Sequence, residues 1–249
     1  MKKEMCNRRV LVTGAGSGIG LATANTLYRY GARIAAVVQT EAQALAVSET
    51  IPDAAVFLHD LLHHEESALL PERAASALGG LDGVACCAGI FFRGKSDGIT
   101  LQHWQQTFDL NLTANFILIR AAIAHMRVAP APNASVVAVS SQLGQVGYPN
   151  GPAYAASKAA LDSLIKSLAL EWAHTGIRIN AVAPGPVRTA MTQAALTDSS
   201  ARAAMIEGVP MGRVGEPSEI AEVMSFLLSE RASFITGQIL CADGGYTVR

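Results

Sequence analysis

Seven short apolar runs alternate with segments of helical length from one end of the chain to the other, and this alternation restricts the fold more than any other feature. The runs are Val10–Thr13, Arg33–Val38, Ala55–His59, Gly83–Cys87, Ser135–Ser140, Arg178–Ala183 and Gln238–Ala242. Most are continuously apolar, as strands are when helices cover both faces of a parallel sheet. Helices are expected near Gly18–Tyr30, Glu41–Glu49, Glu65–Leu78, Leu101–Arg127, Ala153–Thr175 and Ser218–Ser229. Such a pattern builds right-handed strand–helix–strand crossovers. The expectation is one doubly wound α/β domain over residues 1–249, with about seven parallel strands and helices on both faces. Between Pro184 and Pro217 no strand is expected, and Pro184, Gly185, Pro186, Pro210, Gly212 and Gly215 flank room for one short helix. A connection that long in a compact domain usually serves binding, so a substrate lid is expected around residues 184–216.

Composition narrows the function. Half of the 249 residues are hydrophobic and 16% are charged, against a usual charged share of about 25%. That excludes a disordered chain. With a mean hydropathy of +0.28, it also implies outer faces covered by other subunits. Nineteen Lys and Arg against 20 Asp and Glu give a net charge of −1, which leaves no excess to neutralise a phosphate backbone, so no nucleic-acid partner is expected. The basic start runs directly into Val10-Leu11-Val12 without an apolar stretch of signal-peptide length, and no run approaches membrane-spanning length. A soluble, cytoplasmic protein without a membrane partner is expected. The four cysteines form no C-x-x-C pair and read as reduced thiols. His59, His63, His64, Glu65 and Glu66 have no partner cluster elsewhere, so no metal is assigned.

Thr13-Gly14-Ala15-Gly16-Ser17-Gly18-Ile19-Gly20 lies where the first strand turns into the first helix. Without Cβ atoms the backbone can approach a pyrophosphate, and the helix start offers free N–H groups. Tyr154-Ala155-Ala156-Ser157-Lys158 sets a phenol and an ammonium four residues apart, on one face of a helix. A free tyrosine titrates near pH 10, and a neighbouring cation is expected to lower that value and make Tyr154 a usable acid/base. Ser141 stands thirteen residues before Tyr154 at a strand end, and Asn111 lies in a long helical segment.

Taken together, these motifs resemble the short-chain dehydrogenase/reductase family over nearly the whole chain. The resemblance implies a Rossmann-like fold and a nicotinamide dinucleotide held by Gly14, Ser17, Gly18, Ile19 and Gly20. It also implies hydride transfer at a secondary alcohol or ketone. By the same resemblance Ser141 holds the substrate oxygen and Tyr154 exchanges its proton. Lys158 lowers the Tyr154 pKa and grips the nicotinamide ribose, while Asn111 orders a relay water. Pro184, Gly185, Val187 and Thr189 would flank the nicotinamide, Asp60 and Leu61 the adenine, and Ala88-Gly89 the backbone approach after the fourth strand. Asp243-Gly244-Gly245 matches the family's last strand and turn.

At the end of the second strand, Val38 stands where the family often has an NAD-selecting Asp, and Gln39 where NADP users often have Arg. Gln39 and Thr40 can donate to a ribose but cannot neutralise a phosphate, so NAD is favoured over NADP. Cys86-Cys87 replaces the family's Asn pair, which removes side-chain ties between strands and leaves either a weak point in stability or an oxidation-sensitive spot. Ile90, Phe91, Phe92, Gln142, Leu143, Tyr148, Val187 and Met191 are expected around the substrate. That mix suits a small or cyclic alcohol, diol or polyol. An NADPH-dependent 3-oxoacyl-thioester reductase and a non-catalytic regulatory protein that binds NAD(P) are the alternatives. Small residues on the Tyr154 helix (Ala155, Ala156, Ala159, Ala160) would allow close helix packing, and the resemblance implies a homotetramer.

Overall fold

The computed structural model describes residues 5–128 and 133–248. Its strands are β1 (Arg9–Thr13), β2 (Arg33–Val38), β3 (Ala55–Leu58), β4 (Gly83–Cys86), β5 (Ser135–Val139), β6 (Arg178–Pro184) and β7 (Ile239–Ala242). They form one parallel sheet in the order β3-β2-β1-β4-β5-β6-β7. Each expected strand is present with its ends within one residue of the expected ones. The strand order reverses at β1, so a crevice opens beyond the carboxyl ends of β1 and β4, where such folds bind ligands.

The helices are α1 (Gly18–Arg29), α2 (Glu41–Thr50), α3 (His64–Ser67), α4 (Leu70–Leu78), α5 (Leu101–Phe108), α6 (Ala114–Val128), α7 (Pro152–Trp172), α8 (Ala190–Thr197), α9 (Ser199–Glu207) and α10 (Pro217–Leu228). On one face of the sheet, Leu70, Leu118, Ile119, Leu161 and Ile165 from α4, α6 and α7 pack on Leu11, Val84 and Val136. On the other, Leu27, Val47, Ile220 and Met224 from α1, α2 and α10 pack on Val10, Val12 and Val137. Both faces of every central strand are thus covered, which is why the strands read as unbroken apolar runs.

Three helical expectations are corrected. The segment expected as one helix over Glu65–Leu78 is two, because Pro71 lacks an N–H and crowds the carbonyl four residues back, at Ser67, where α3 ends. The segment Leu101–Arg127 is interrupted by a π-helical turn over Asp109–Thr113. Instead of one short helix, the connection after β6 carries two, α8 and α9. Among the described residues no helix is long and apolar enough to cross a membrane, and no three His, Cys, Asp or Glu side chains stand close enough to hold a metal ion. His59 shares a 2.8 Å hydrogen bond with Ser67.

Candidate active site

A cavity of about 900 Å³ lies beyond the carboxyl ends of β1 to β6 and extends beneath α8 and α9. Apart from Phe92 and Thr40, every residue expected at the cofactor or the substrate lines it, as do Ser141, Tyr154 and Lys158. Three expectations lie off its wall. Asn111 is fully buried behind Gly89 and Ile90. Phe92 stacks on His103, ring centroids 4.3 Å apart, instead of facing the cavity. Thr40 caps α2, accepting from the Gln43 N–H at 3.3 Å.

The glycine loop is shaped by contact. Gly14 has φ +63°, and a Cβ there would sit 2.9 Å from the backbone of Ala88. A Cβ on Gly20 would lie 2.1 Å from the Gly14 carbonyl oxygen. Ser17 precedes α1 in an extended conformation without a side-chain cap, and the first turn holds no acidic residue. The N–H groups that open α1 therefore face the cavity without a competing carboxylate, a setting suited to a pyrophosphate. This cradle fits a dinucleotide. At the far end, Gln39 donates through Nε2 to Asp60 Oδ2 at 3.3 Å, and its backbone N–H donates to Gln43 Oε1 at 2.8 Å. Asp60 also accepts from the Leu62 N–H at 3.0 Å, which closes the turn after β3. Two cations line the whole cavity, Arg93 and Lys158, and neither stands at this end.

The reacting end is built by α7. Its pitch puts Tyr154 and Lys158 on one buried face, and Lys158 Nζ donates to the Val139 carbonyl at 2.7 Å. Burial lowers the Lys158 ammonium to about 8. Burial also raises the Tyr154 phenol above its ordinary value, and a hydrogen bond from Ser141 pulls it partly back. Lys158 Nζ lies 5.7 Å from the centre of the phenol ring while it donates to Val139, so in this arrangement burial and Ser141 set the direction of the Tyr154 shift. Ser141 is held at the start of a short 3₁₀ turn, where its Oγ accepts from the Leu143 N–H at 3.1 Å.

The Asn111 side chain also has a structural part. Its Nδ2 donates to Ser157 Oγ at 3.1 Å, and Ser157 in turn donates to the Tyr154 carbonyl at 2.8 Å. The carboxamide thus ties the loop after β4 to the helix of Tyr154. The Cys86-Cys87 departure is compensated in part, since the Cys87 N–H donates to Thr13 Oγ1 at 3.2 Å and links the ends of β4 and β1. Burial pushes both thiols up, Cys87 to about 12, which disfavours the reactive thiolate at either position.

Several wall residues were not anticipated, among them Arg93, Gln106, Asn150 and Met205. Arg93 and Asn150 sit in loops, where no periodicity marks an inward-facing position. Met205 lies on α9, which was not separated from the long connection.

The fold, the glycine cradle and the buried Ser141–Tyr154–Lys158 group define a nicotinamide-dinucleotide-binding oxidoreductase. A family model, adh_short_C2, described as Enoyl-(Acyl carrier protein) reductase, matches residues 14–247. The chain belongs to the short-chain dehydrogenase/reductase family and is an alcohol/ketone oxidoreductase acting on CH–OH groups. It is 38% identical over 253 residues to cis-4-hydroxycyclohexanecarboxylate dehydrogenase from Sinomonas cyclohexanicum, covering 99% of each chain. It is 35% identical over 247 residues to 2,5-dichloro-2,5-cyclohexadiene-1,4-diol dehydrogenase from Sphingobium indicum, covering 98% of each. A solved structure from Beutenbergia cavernae, assigned as an NAD(P)-dependent gluconate 5-dehydrogenase and holding NADP at low occupancy, superimposes with a TM-score of 0.92. That protein is 33% identical, over 100% of both chains.

Proposed function

We propose that the protein oxidises a cyclic secondary alcohol or diol to the ketone with NAD, and runs the reverse reduction, at Ser141, Tyr154 and Lys158. The observation that carries this reading is the convergence of those three side chains on one wall of the cavity that the glycine loop opens. Two relatives named above act on six-membered rings, which favours a cyclic substrate over the 3-oxoacyl thioester alternative. A non-catalytic role would leave the placement of Ser141, Tyr154 and Lys158 on one cavity wall without a purpose. NAD is favoured because no cation lines the adenosine end, where a 2′-phosphate would need one, and Asp60 lies there instead.

A nicotinamide dinucleotide held by the cradle through its pyrophosphate would supply or accept the hydride. The N–H groups at the start of α1, with Ser17 and Thr189, would hold the pyrophosphate. Thr189 packs so close to the loop that a Cβ on Gly18 would lie 3.2 Å from its Cγ2. In the oxidative direction Ser141 Oγ orients the alcohol oxygen while Tyr154 Oη takes the hydroxyl proton. In reduction the phenol returns that proton, and its raised pKa keeps it protonated at neutral pH. Lys158 below pH 8 is a cation beside the phenol and favours the phenolate once charge develops. Gln142 is 6% exposed and its Oε1 has no partner, so it offers an acceptor to a donor on substrate or cofactor. Asn111 positions the floor without touching the reacting atoms.

The connection 184–216 serves as the lid: α8 and α9 place Met191, Ala204 and Met205 on the cavity wall. We read the protein as a cytoplasmic homotetramer. The exposed Leu101, Leu170 and Phe234 support association with further subunits, as does Ala159 on the outer side of α7. The decisive experiment is Tyr154→Phe. It should lower kcat about a thousandfold while NADH still binds; a variant that keeps substantial turnover overturns the reading.

A further inference from the structure

The loop after β4 places an arginine in the substrate half of the cavity. Arg93 lines the wall and makes none of the ion pairs found among the described residues. It is nonetheless held in place. Its guanidinium carbon lies 5.6 Å from the centre of the Phe91 ring, and its Nη1 donates to the Tyr148 hydroxyl at 3.3 Å. Phe91 packs in turn against Tyr154, with ring centroids 4.6 Å apart, and meets Tyr148 edge-on at 6.4 Å. The loop is anchored to the segment before α7 by the Gly94 N–H, which donates to the Asn150 carbonyl at 3.0 Å. Phe91 also fills the space beside Gly151, where a Cβ would meet its ring at 2.5 Å.

The other cation on the wall, Lys158, is committed to the Val139 carbonyl. Glu207, at the end of α9, is the one carboxylate on the lid side of the wall. Arg93 therefore faces the cavity with unneutralised charge and donors left to offer. Resting on the reading given under Proposed function, we infer that the substrate carries a carboxylate, which Arg93 binds together with the Tyr148 hydroxyl. Planar guanidinium and planar carboxylate match in shape and donor pattern, and because Arg93 is itself solvent-exposed the pair forms partly in water and is screened by salt. Tyr148 accepts from Arg93 and keeps its own O–H to donate to the same anion.

Tyr154 marks the carbinol and Arg93 the anion, and both pack against the ring of Phe91, so the ligand carries its hydroxyl and its carboxylate at separate positions. The substrate class is a hydroxycycloalkane monocarboxylate or its oxo form.

Calorimetric titration with cyclohexanecarboxylate and with its amide tests this, using the whole protein without nucleotide and with saturating NADH. Neither probe has a hydroxyl, so the result does not depend on turnover. A failure here is thereby distinguished from a failure of the Tyr154 reading. The acid should bind about tenfold more tightly than the amide, and the ratio should fall as salt rises. Arg93→Gln should bring the ratio close to one, and Arg93→Lys, which keeps charge without the planar fork, should leave an intermediate value. Equal binding of acid and amide by the wild type, a ratio unchanged in Arg93→Gln, or no detectable binding of the acid would each overturn the inference.

Discussion

Asn111 and Ile90 exchange two hydrogen bonds: Oδ1 accepts from the Ile90 N–H at 2.9 Å, and Nδ2 donates to the Ile90 carbonyl at 3.0 Å. A buried side chain thereby takes the place of a neighbouring strand and holds the chain straight as it leaves β4. Asn111→Ala should leave both Ile90 groups without these partners and cost about 2 kcal/mol, read as a lowered urea midpoint. Turnover should fall with it, because Phe91 follows directly on Ile90. A variant as stable as the wild type would show that the clamp is dispensable.

The adenosine end gives a cofactor prediction. Wild-type protein should bind NADH more tightly than NADPH, measured by nucleotide fluorescence. Gln39→Arg should tighten NADPH by about tenfold, since it supplies the cation that the wall lacks there. Tighter NADPH binding by the wild type would mean that a basic group outside the cavity wall reaches the 2′-phosphate.

Acid stability should depend on Asp82. Burial alone would raise its carboxyl, but Arg9 holds it below the ordinary value through Nε at 2.8 Å, Nη2 at 2.6 Å and its own backbone N–H at 2.8 Å. A carboxyl with a lowered folded pKa stabilises the protein above its unfolded value near 3.8, and the effect is lost as pH falls through the folded value. Asp82→Asn should therefore lose on the order of 1–2 kcal/mol at pH 7. The gap to wild type should close toward pH 3, as followed by chemical denaturation.

On the alkaline side the informative residue is Lys158. Its folded pKa of about 8 lies below the ordinary 10.5, so in that interval the unfolded chain binds the proton more tightly. Stability of the nucleotide-free protein should then rise with pH between 8 and 10.5, by on the order of 1 kcal/mol or more. Lys158→Met should lack this component, and the Tm difference between the two proteins should move in favour of the wild type as pH rises. A difference independent of pH would place the ammonium in solvent.

What the sequence made legible follows from where the forces are local. The strands show because helices bury both faces of each, and the Tyr154–Lys158 pairing shows because it needs only one turn of helix. The glycine loop shows because close backbone approach removes side chains. The clamp by Asn111 is hidden, since it joins positions 21 residues apart through a π-helical turn without a sequence signature. Arg93 is hidden in the same way, as its meaning depends on Phe91, Tyr148 and Tyr154 arriving beside it. The raised phenol of Tyr154 is a property of burial, and burial of a polar group is settled by tertiary packing. The break before Pro71 was readable from proline's chemistry alone, yet the apolar spacing across Glu65–Leu78 masks it.

The position of β1 has a consequence for synthesis. Its first neighbour, β2, pairs from Arg33 onward, while its second pairs only from Gly83. A ribosome that has delivered the first strand must therefore add some seventy residues before the opposite edge can close. Throughout that interval Val10-Leu11-Val12 presents an open apolar ladder, the kind of edge on which nascent chains aggregate. The Arg9–Asp82 pair lies at the threshold of β4 and forms as that edge is sealed. The vulnerable moment in this protein's life thus falls within the first third of translation, before any part of the catalytic half of the chain exists.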